Sequence, residues 1–376
     1  MNRFEIVGKL ALAKDSDKRK YFEELRYKKG EKNKQGIPRK NDFIMRNLRL
    51  TMKSGENFFN VDIKGSLMGN EDTAIIKSLR KVEDGKYESF EFKYKDKDKF
   101  IEELAEFRKC VFVNGDDRHE FVNEYDLAMF VHEELLKEES KDRLYKIVGE
   151  IKYSEYTNPK TNKTGVYTNY NINRIYVVDN DTEQTAKGTI DLLITEDAID
   201  DSELEQTNSF KVSGYVTQYE SKDQPNKGYF QTLDFPLNTD DENKRKMKFN
   251  MIQGLLKFDT GELAKIGFKV NLINKVEEVE FDENMLTDEE KMYIELEIMS
   301  LSDFKDKYGE GKGGYINKTE VDKISATYKT GAIPVELTIN DILGDPEDKS
   351  DEVSGKDLEL DLDGSLTDDD IEDMFS

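Results

Sequence analysis

The chain has 376 residues, enough for two or three domains, and carries a formal net charge of −24. Its single cysteine, Cys110, excludes a framework of intrachain disulfides, and no apolar run is long enough to cross a membrane. The amino terminus lacks the apolar core of a signal peptide, so the sequence predicts a cytoplasmic protein.

The charge is unevenly placed along the chain. Residues 18–40 contain 10 basic and 3 acidic residues, a net charge of +7. Residues 345–376 contain 14 acidic and 2 basic residues, a net charge of −12, which is half of the total excess. A basic segment at one end and an acidic tail at the other are more informative about partners than the total charge.

Alternating apolar residues predict strands at 4–13, 43–53 and 58–65, with the basic segment as a loop between the first two. Weaker patterns indicate a strand at 90–94, a helix at 98–109 and a strand at 110–113. Residues 123–137 have the spacing of an amphipathic helix. We expect these elements to form one unit, residues 1–140.

The central stretch, residues 144–237, predicts three strands, a short helix at 196–208 and two further strands. This is the order of a five-stranded OB barrel, a fold whose loops and outer face bind single strands or sugars. The pattern aromatic-x-aliphatic-x-Gly recurs at Phe4, Tyr145 and Phe210, and the glycine allows the sharp bend that barrel closure requires. We interpret the first two as the opening strands of separate barrels, although such a short pattern also recurs by chance.

Beyond the central stretch the patterns are weaker. Residues 240–246 predict a charged loop, 247–256 fit either helix or strand, and 268–281 and 291–300 predict extended segments. Residues 344–376 combine low apolar content with high charge, which predicts disorder. The expected fold is therefore mainly β (α+β), with two OB-like five-stranded barrels, helical insertions and a disordered acidic tail. Its divisions are 1–140, a central barrel at 141–240, a small third domain or barrel extension at 241–343, and the tail at 344–376.

The first candidate for nucleic-acid binding is the basic segment. Lysine and arginine neutralise phosphates, and interleaved aromatic rings stack on bases of any sequence. The alternative is a solvated loop with its aromatic residues packed beneath it. The candidate residues are Arg19, Lys20, Tyr21, Phe22, Arg26, Tyr27, Lys28, Lys29, Lys34, Arg39 and Lys40.

The second candidate is a set of tyrosines and cations in the central barrel. Tyr170, Arg174 and Tyr176 are predicted to share one strand face by parity. The alternative for each tyrosine is a half-buried core position with only its hydroxyl in water. The other members of the set are Tyr153, Tyr156, Lys160, Lys163, Tyr167, Tyr215, Tyr219, Lys222, Lys227 and Tyr229.

The third candidate is the end of the tail, where carboxylates surround three apolar residues. Solvation alone does not require apolar residues there, whereas docking into a basic pocket with an apolar floor does. The predicted partner-binding residues are Asp368, Asp369, Asp370, Ile371, Glu372, Asp373, Met374 and Phe375.

The tail and the segments FKVSGYVTQYES (210–221) and GYFQTLDF (228–235) together resemble single-stranded DNA-binding proteins of bacteria and tailed phages. The chain departs from the bacterial type in having no tryptophan, no proline before the final phenylalanine, and one residue after it. Its size is more similar to a phage version. The resemblance implies OB barrels that coat single strands during DNA replication or recombination, and a tail that recruits replication proteins and competes for the DNA groove.

Two other functional classes are alternatives. One is an acidic protein-interaction module, such as a DNA mimic or a virion component. The other is an enzyme, against which the absence of catalytic and metal-binding motifs counts. Residues 359–370 imitate a calcium-binding loop but reverse its preferred first and last residues, so we expect no metal and no cofactor.

Overall fold

The computed structural model describes residues 2–15, 20–32, 38–39, 41–83, 86–157, 164–219, 226–257, 263–278, 286–296, 298–300 and 312–328. Within these residues the fold is mainly β, with a 14-stranded sheet, a separate two-stranded sheet and a few helices. None of the described helices is long and apolar enough to span a membrane.

The first half of the chain, where described, contains ten strands and two α-helices, joined in part by 3₁₀ turns at Tyr94–Asp96, Ile101–Glu103, Glu106–Arg108 and Glu138–Ser140. The elements are β1 (Arg3–Leu12), β2 (Phe22–Tyr27), β3 (Phe43–Ser54), β4 (Asn57–Met68), β5 (Ile75–Glu83), β6 (Lys86–Lys93), α1 (Lys97–Phe100), β7 (Cys110–Asn114), β8 (Asp117–Phe121), α2 (Glu124–Leu135), β9 (Leu144–Thr157) and β10 (Thr164–Val178).

Five of these strands close into a barrel. β1 pairs with β3 and β9, β3 pairs with β4, and β9 pairs with β10, all antiparallel. The ring is closed by a short parallel pairing of β4 with β10, at Val61–Asp62 against Tyr170–Asn171. Helix α2 lies between the third and fourth barrel strands in the chain, and its buried Leu127, Ala128 and Val131 join the barrel core.

The second half repeats this arrangement. Its elements are β11 (Ala186–Ile194), β12 (Ile199–Asp200), α3 (Leu204–Thr207), β13 (Ser209–Gln218), β14 (Lys227–Pro236), α4 (Glu242–Leu256), β15 (Ala264–Glu278), α5 (Asp288–Glu295) and β16 (Lys312–Tyr328). β11 pairs with β13 and β15, β13 with β14, and β15 with β16, all antiparallel, while β14 and β16 pair in parallel.

Both barrels therefore have five strands in the order first, second, third, fifth, fourth, with one parallel pair and a helix after the third strand. This is the OB arrangement. The predicted fold class, mainly β with two OB-like barrels and helical insertions, is confirmed. The predicted tail, residues 344–376, lies outside the described residues.

The assignment of strands to barrels differs from the prediction. β9 and β10 were expected to open the central barrel, but they are the fourth and fifth strands of the first barrel. The predicted boundary at 140/141 thus separates strands of one closed ring. Residues 241–343, expected to be a third domain or an extension, supply β15 and β16 to the second barrel.

Glycines in the recurring pattern lie where neighbouring backbones approach closely. A Cβ at Gly8 would lie 2.0 Å from the carbonyl oxygen of Lys53, and one at Gly149 would lie 2.0 Å from that of Asn171. Only glycine permits this contact between strands that bend across each other. The geometry is thus consistent with the prediction that glycine at these positions allows the sharp bend needed for barrel closure.

The two barrels share one continuous sheet and one continuous apolar core. β1 of the first barrel pairs with β11 of the second, from Arg3 opposite Thr189 to Ile6 opposite Ala186. The Gln218 side chain accepts from the Tyr153 amide (3.0 Å) and donates to its carbonyl (3.2 Å), and Lys227 pairs with Glu155 at 2.8 Å. These contacts fix the orientation of the barrels.

Some local predictions were wrong. Residues 291–300 were expected to be extended, but α5 occupies Asp288–Glu295 and begins with a capping box between Thr287 and Glu290. The predicted charged loop at 240–246 contains the start of α4, whose N-cap Asp241 accepts from the amides of Asn243 and Lys244. Within 196–208 the helix α3 covers only Leu204–Thr207.

Candidate nucleic-acid interface

The first outer face is the outward side of β2, β3 and β4, the second and third strands of the first barrel with an added edge strand. Tyr27 ends β2, Phe43 begins β3, and Arg39 lies beside both rings. The Arg39 guanidinium carbon lies 3.9 Å from the centre of the Tyr27 ring and 5.6 Å from that of Phe43. The two rings are 6.2 Å apart. The face thus combines two half-buried aromatic rings with a cation, and Arg39 covers one side of the Tyr27 ring.

The arginines of β2 and β3 are held by carboxylates, and Arg46 lies on the side opposite Phe43, with its guanidinium 3.8 Å from the Tyr125 ring of α2. Arg46 contacts Glu24 at 2.8 Å, Arg26 contacts the same carboxylate at 2.7 Å, and Arg49 contacts Glu23 at 3.3 Å. Burial raises the pKa of Glu24, but hydrogen bonds from Arg46 and Arg26 outweigh it and hold that pKa below its ordinary value. Glu24 therefore stays ionised and compensates the charge of Arg46 and Arg26.

The lysines of the basic segment are placed differently. Lys20, Lys28 and Lys29 are exposed. The turn that carries the last two is fixed through its backbone, since the Lys28 amide donates to Glu31 (2.7 Å) and the Lys29 amide donates to Asp42 (2.9 Å). Fixed backbone with exposed ammonium groups is suited to contacts with phosphates. β2 also shows that the segment is not the simple loop predicted, because Phe22–Tyr27 extends the sheet beside β3.

Tyr21 and Phe22 pack toward α2 rather than beside Tyr27. Phe22 stacks on His132 of α2 with ring centres 4.5 Å apart, and Tyr21 lies 5.7 Å from the same ring. Both side chains pack against the apolar core. The prediction that they stack on bases is therefore corrected: they fasten β2 to α2.

The second outer face is the outward side of β13 and β14, the second and third strands of the second barrel. Tyr215 and Phe230 are paired across the strands and meet edge to face at 5.4 Å. Phe230 is 53% exposed. Two residues before Tyr215 in β13, Ser213 shares a hydrogen bond of 2.9 Å with Thr232 of β14. Lys211, two residues earlier again, pairs with Glu203 at 2.9 Å. This face also offers aromatic surface, with polar groups beside it.

A third aromatic site lies at the tip of the β9–β10 hairpin. Tyr156 and Tyr167 stack with ring centres 4.1 Å apart, on the outward side. The pKa of Tyr156 is raised by its partial burial and by the neighbouring Tyr167. On the other side of the hairpin, Glu155 pairs with Lys227 and so brings the β13–β14 hairpin, with its exposed Tyr219, to the same region.

Three predicted base-stacking residues instead face the interior. Tyr153 and Tyr229 are 3% and 1% exposed and stack on each other at 6.1 Å inside the core. Tyr170 packs edge-on against Phe4 (5.3 Å) and Phe59 (5.7 Å), and burial raises its pKa. These rings contribute to barrel packing.

The parity prediction for Tyr170, Arg174 and Tyr176 fails because β10 contains a register shift between Ile172 and Arg174. An extra residue in one strand reverses the facing of every later side chain. Tyr170 therefore faces the core, whereas Arg174 and Tyr176 face outward and are half-buried. Arg174 donates to the carbonyl of Glu106 at 2.7 Å.

Other predicted residues cannot be placed. Arg19, Lys34, Lys40, Lys160, Lys163 and Lys222, together with the tail residues 368–375, lie outside the described residues. Among the residues that are described, no group of three or more His, Cys, Asp or Glu side chains is arranged to hold a metal ion.

Comparison with known proteins adds little to this geometry. No protein-family model matches the sequence, and no curated protein gives a significant match. Among solved structures, the chain is similar to wild-type single-stranded DNA-binding protein from Thermus aquaticus, with a TM-score of 0.28, 8% identity, and coverage of 86% of this chain and 92% of that one. A deletion mutant of the same protein gives a TM-score of 0.30, 8% identity, and coverage of 86% and 93%. These similarities are too low to bear on the fold, and the pairing of the strands by itself defines the two barrels.

Two outward aromatic residues were missed in the sequence, Phe43 and Phe230. Phe43 begins a predicted strand and lies directly across from Tyr27, and Phe230 lies within a predicted strand directly across from Tyr215. Tyr27 and Tyr215 were both predicted binding residues. In the second case the signal was present: Tyr229 and Phe230 are adjacent, so only one of them faces the core. Choosing the outward one required the cross-strand register.

Proposed function

We propose that this protein binds single-stranded DNA across the outer faces of its two OB barrels, without enzymatic activity. The observation that carries the proposal is the repetition of outward aromatic pairs on the sheet faces of both barrels. They are Tyr27 with Phe43 in the first barrel and Tyr215 with Phe230 in the second. The outward side of the second and third barrel strands is where OB folds bind oligonucleotides.

The loops support the same conclusion. The basic segment connects the first and second strands of the first barrel, and the Tyr156–Tyr167 stack flanks the connection between its fourth and fifth strands. Both connections border the ligand face of an OB fold. Tyr156 and Tyr167, expected beside the first loop of a separate barrel, thus flank a loop of the first barrel.

Half of the net charge of −24 resides in residues 345–376, and the remaining −12 is spread over 344 residues that include the basic segment at 18–40. Exposed lysines supply local positive charge near Tyr27, while stacking supplies the part of the affinity that does not depend on salt. Sequence preference is expected to be weak, since every base has a face on which an aromatic ring can stack.

The proposed role is to coat and protect single strands during DNA replication or recombination, in the cytoplasm of a bacterial host if the protein is phage-encoded. The tail, residues 344–376, would recruit replication proteins through its apolar end and compete with DNA through its carboxylates. The sequence resemblance and the acidic charge of the tail support this role.

A length series of labelled oligonucleotides tests the proposal. If one strand contacts both outer faces, affinity rises with length until the strand reaches the second face and then levels off. Paired DNA and RNA series of equal length would establish the preferred nucleic acid. An acidic protein-interaction module, the competing hypothesis, would bind none of them at any length.

A further inference from the structure

Helix α4 carries an exposed apolar row that the described part of the chain leaves uncovered. Met247, Met251 and Leu255 recur every four residues and are 61%, 66% and 58% exposed. The opposite side of α4, with Phe249 and Ile252, packs into the second barrel. A surface helix usually turns polar residues outward, so three large apolar residues in one outward row indicate an interaction surface.

The surroundings of this row are basic. α4 contains four basic residues and one acidic residue, in a chain with a net charge of −24. Lys244 and Lys246 are strongly exposed, the former 3.9 Å from Asp241 and the latter 2.6 Å from Glu242, and such exposed ion pairs exchange partners at little cost. Gly254 lies on the same outward side, and a Cβ there would meet no atom within 4 Å. The helix thus presents an apolar strip with an open place at Gly254 and positive charge near its start.

We propose that the end of this same chain, residues 368–375, docks on the exposed row of α4. Its apolar residues Ile371, Met374 and Phe375 are spaced i, i+3, i+4, so they would share one side of a helical turn. The five carboxylates around them match the lysines of α4. Acidic charge with an apolar anchor is thus the composition that complements this surface.

The point where the tail leaves the barrel favours docking within one molecule. Tyr328, the last described residue, pairs with Lys265 at the beginning of β15. β15 is the strand that follows α4, which ends at Leu256. About 40 residues separate Tyr328 from the start of the docking segment, and a flexible chain of that length would span roughly 35 Å. α4 is only about 22 Å long, so its whole row lies within reach at millimolar effective concentration.

The docking has a consequence that does not depend on DNA binding. A protein that recognises the end of the tail must first release it from α4. The apolar anchor would therefore be sequestered until a partner of higher affinity arrives. The acidic residues nearer the barrel would remain available to compete for phosphate-binding sites in either state.

The chain contains no tryptophan, so Phe375→Trp introduces a unique reporter. In the full-length protein we expect blue-shifted emission and reduced quenching by acrylamide, relative to a free peptide of residues 364–376 with the same substitution. Adding Met251→Glu, or separately Met247→Ser, should return both readouts to those of the peptide. Met129→Glu, on an exposed position of α2, is the matched control and should change neither. Thermal melts would verify that each variant is folded.

Three results would overturn the proposal. The first is emission identical to that of the free peptide in the full-length reporter protein. The second is a blue shift that survives both α4 substitutions in folded protein, which would place the tail elsewhere. The third is a blue shift that grows with protein concentration, which would show that the tail docks on a second copy instead.

Discussion

Replacing Phe230 by alanine separates base stacking from fold stability at a single position. Phe230 is 53% exposed and contacts Tyr215 edge to face at 5.4 Å. A base stacked on an aromatic ring is worth about 1–3 kcal/mol, and each 1.4 kcal/mol is tenfold in Kd. Phe230→Ala should therefore weaken binding to single strands by about 5- to 150-fold. The salt dependence should be unchanged because stacking releases no counterions.

The neighbouring residue supplies the control. Tyr229 is 1% exposed and its ring lies in the core beside Tyr153. Tyr229→Ala should lower the free energy of unfolding by about 3–5 kcal/mol, the usual cost of removing a buried aromatic side chain. Phe230→Ala should cost less, because about half of its side chain is already exposed; losing the aromatic pair contributes about 0.5–1.5 kcal/mol of that cost.

The assay is fluorescence anisotropy of a labelled oligonucleotide, combined with urea unfolding of each variant. Unchanged affinity in a folded Phe230→Ala protein would refute the idea that bases lie on the second outer face. A loss of affinity accompanied by an equal loss of folded protein would make Phe230 a structural residue instead.

The remaining predictions concern charge, packing, closure and the tail. Charge reversal of the exposed Lys20, Lys28 and Lys29 should lower the salt slope of single-strand binding by about 0.7 for each phosphate that is no longer neutralised. An unchanged slope would place the DNA path elsewhere. Tyr170→Ala should lower the melting temperature and leave the affinity of the folded protein intact, because its ring packs on Phe4 and Phe59. Gly149→Ala should destabilise the barrel by at least about 1–3 kcal/mol, since its Cβ would lie 2.0 Å from a carbonyl oxygen of β10; a wild-type urea midpoint would contradict this. Deleting residues 345–376, with net charge −12, should raise single-strand affinity most at low salt, and equal affinities at low salt would show that the tail does not compete.

Local patterns located most strands because each pattern depends on residues close in sequence. The segments around β1, β3, β4, β13 and β14 alternate clearly, and their turns contain glycine, asparagine or serine. Barrel membership is different, because it depends on pairing between distant strands. β4 meets β10 at Val61 and Tyr170, a contact that no local pattern encodes. The strands β9 and β10 were therefore assigned to the wrong barrel.

The candidate site shows the same division. Composition identified the basic segment and the tyrosine-rich hairpins, and the structure places Tyr27, Tyr156, Tyr167 and Tyr215 outward. Parity failed in β10 because a single register shift reversed the strand faces. The helix α5 could have been predicted from its capping box at Thr287 and Glu290, a signal that the apolar spacing of 291–300 obscured.

The most direct test of single-strand binding is a titration of labelled single-stranded and duplex DNA of equal length, at about 50 and 200 mM salt. We expect tighter binding to the single strand at both concentrations, with partial weakening at higher salt because salt screens the phosphates but leaves base stacking in place. Equal affinity for the duplex, or no binding to single strands at low salt, would contradict it.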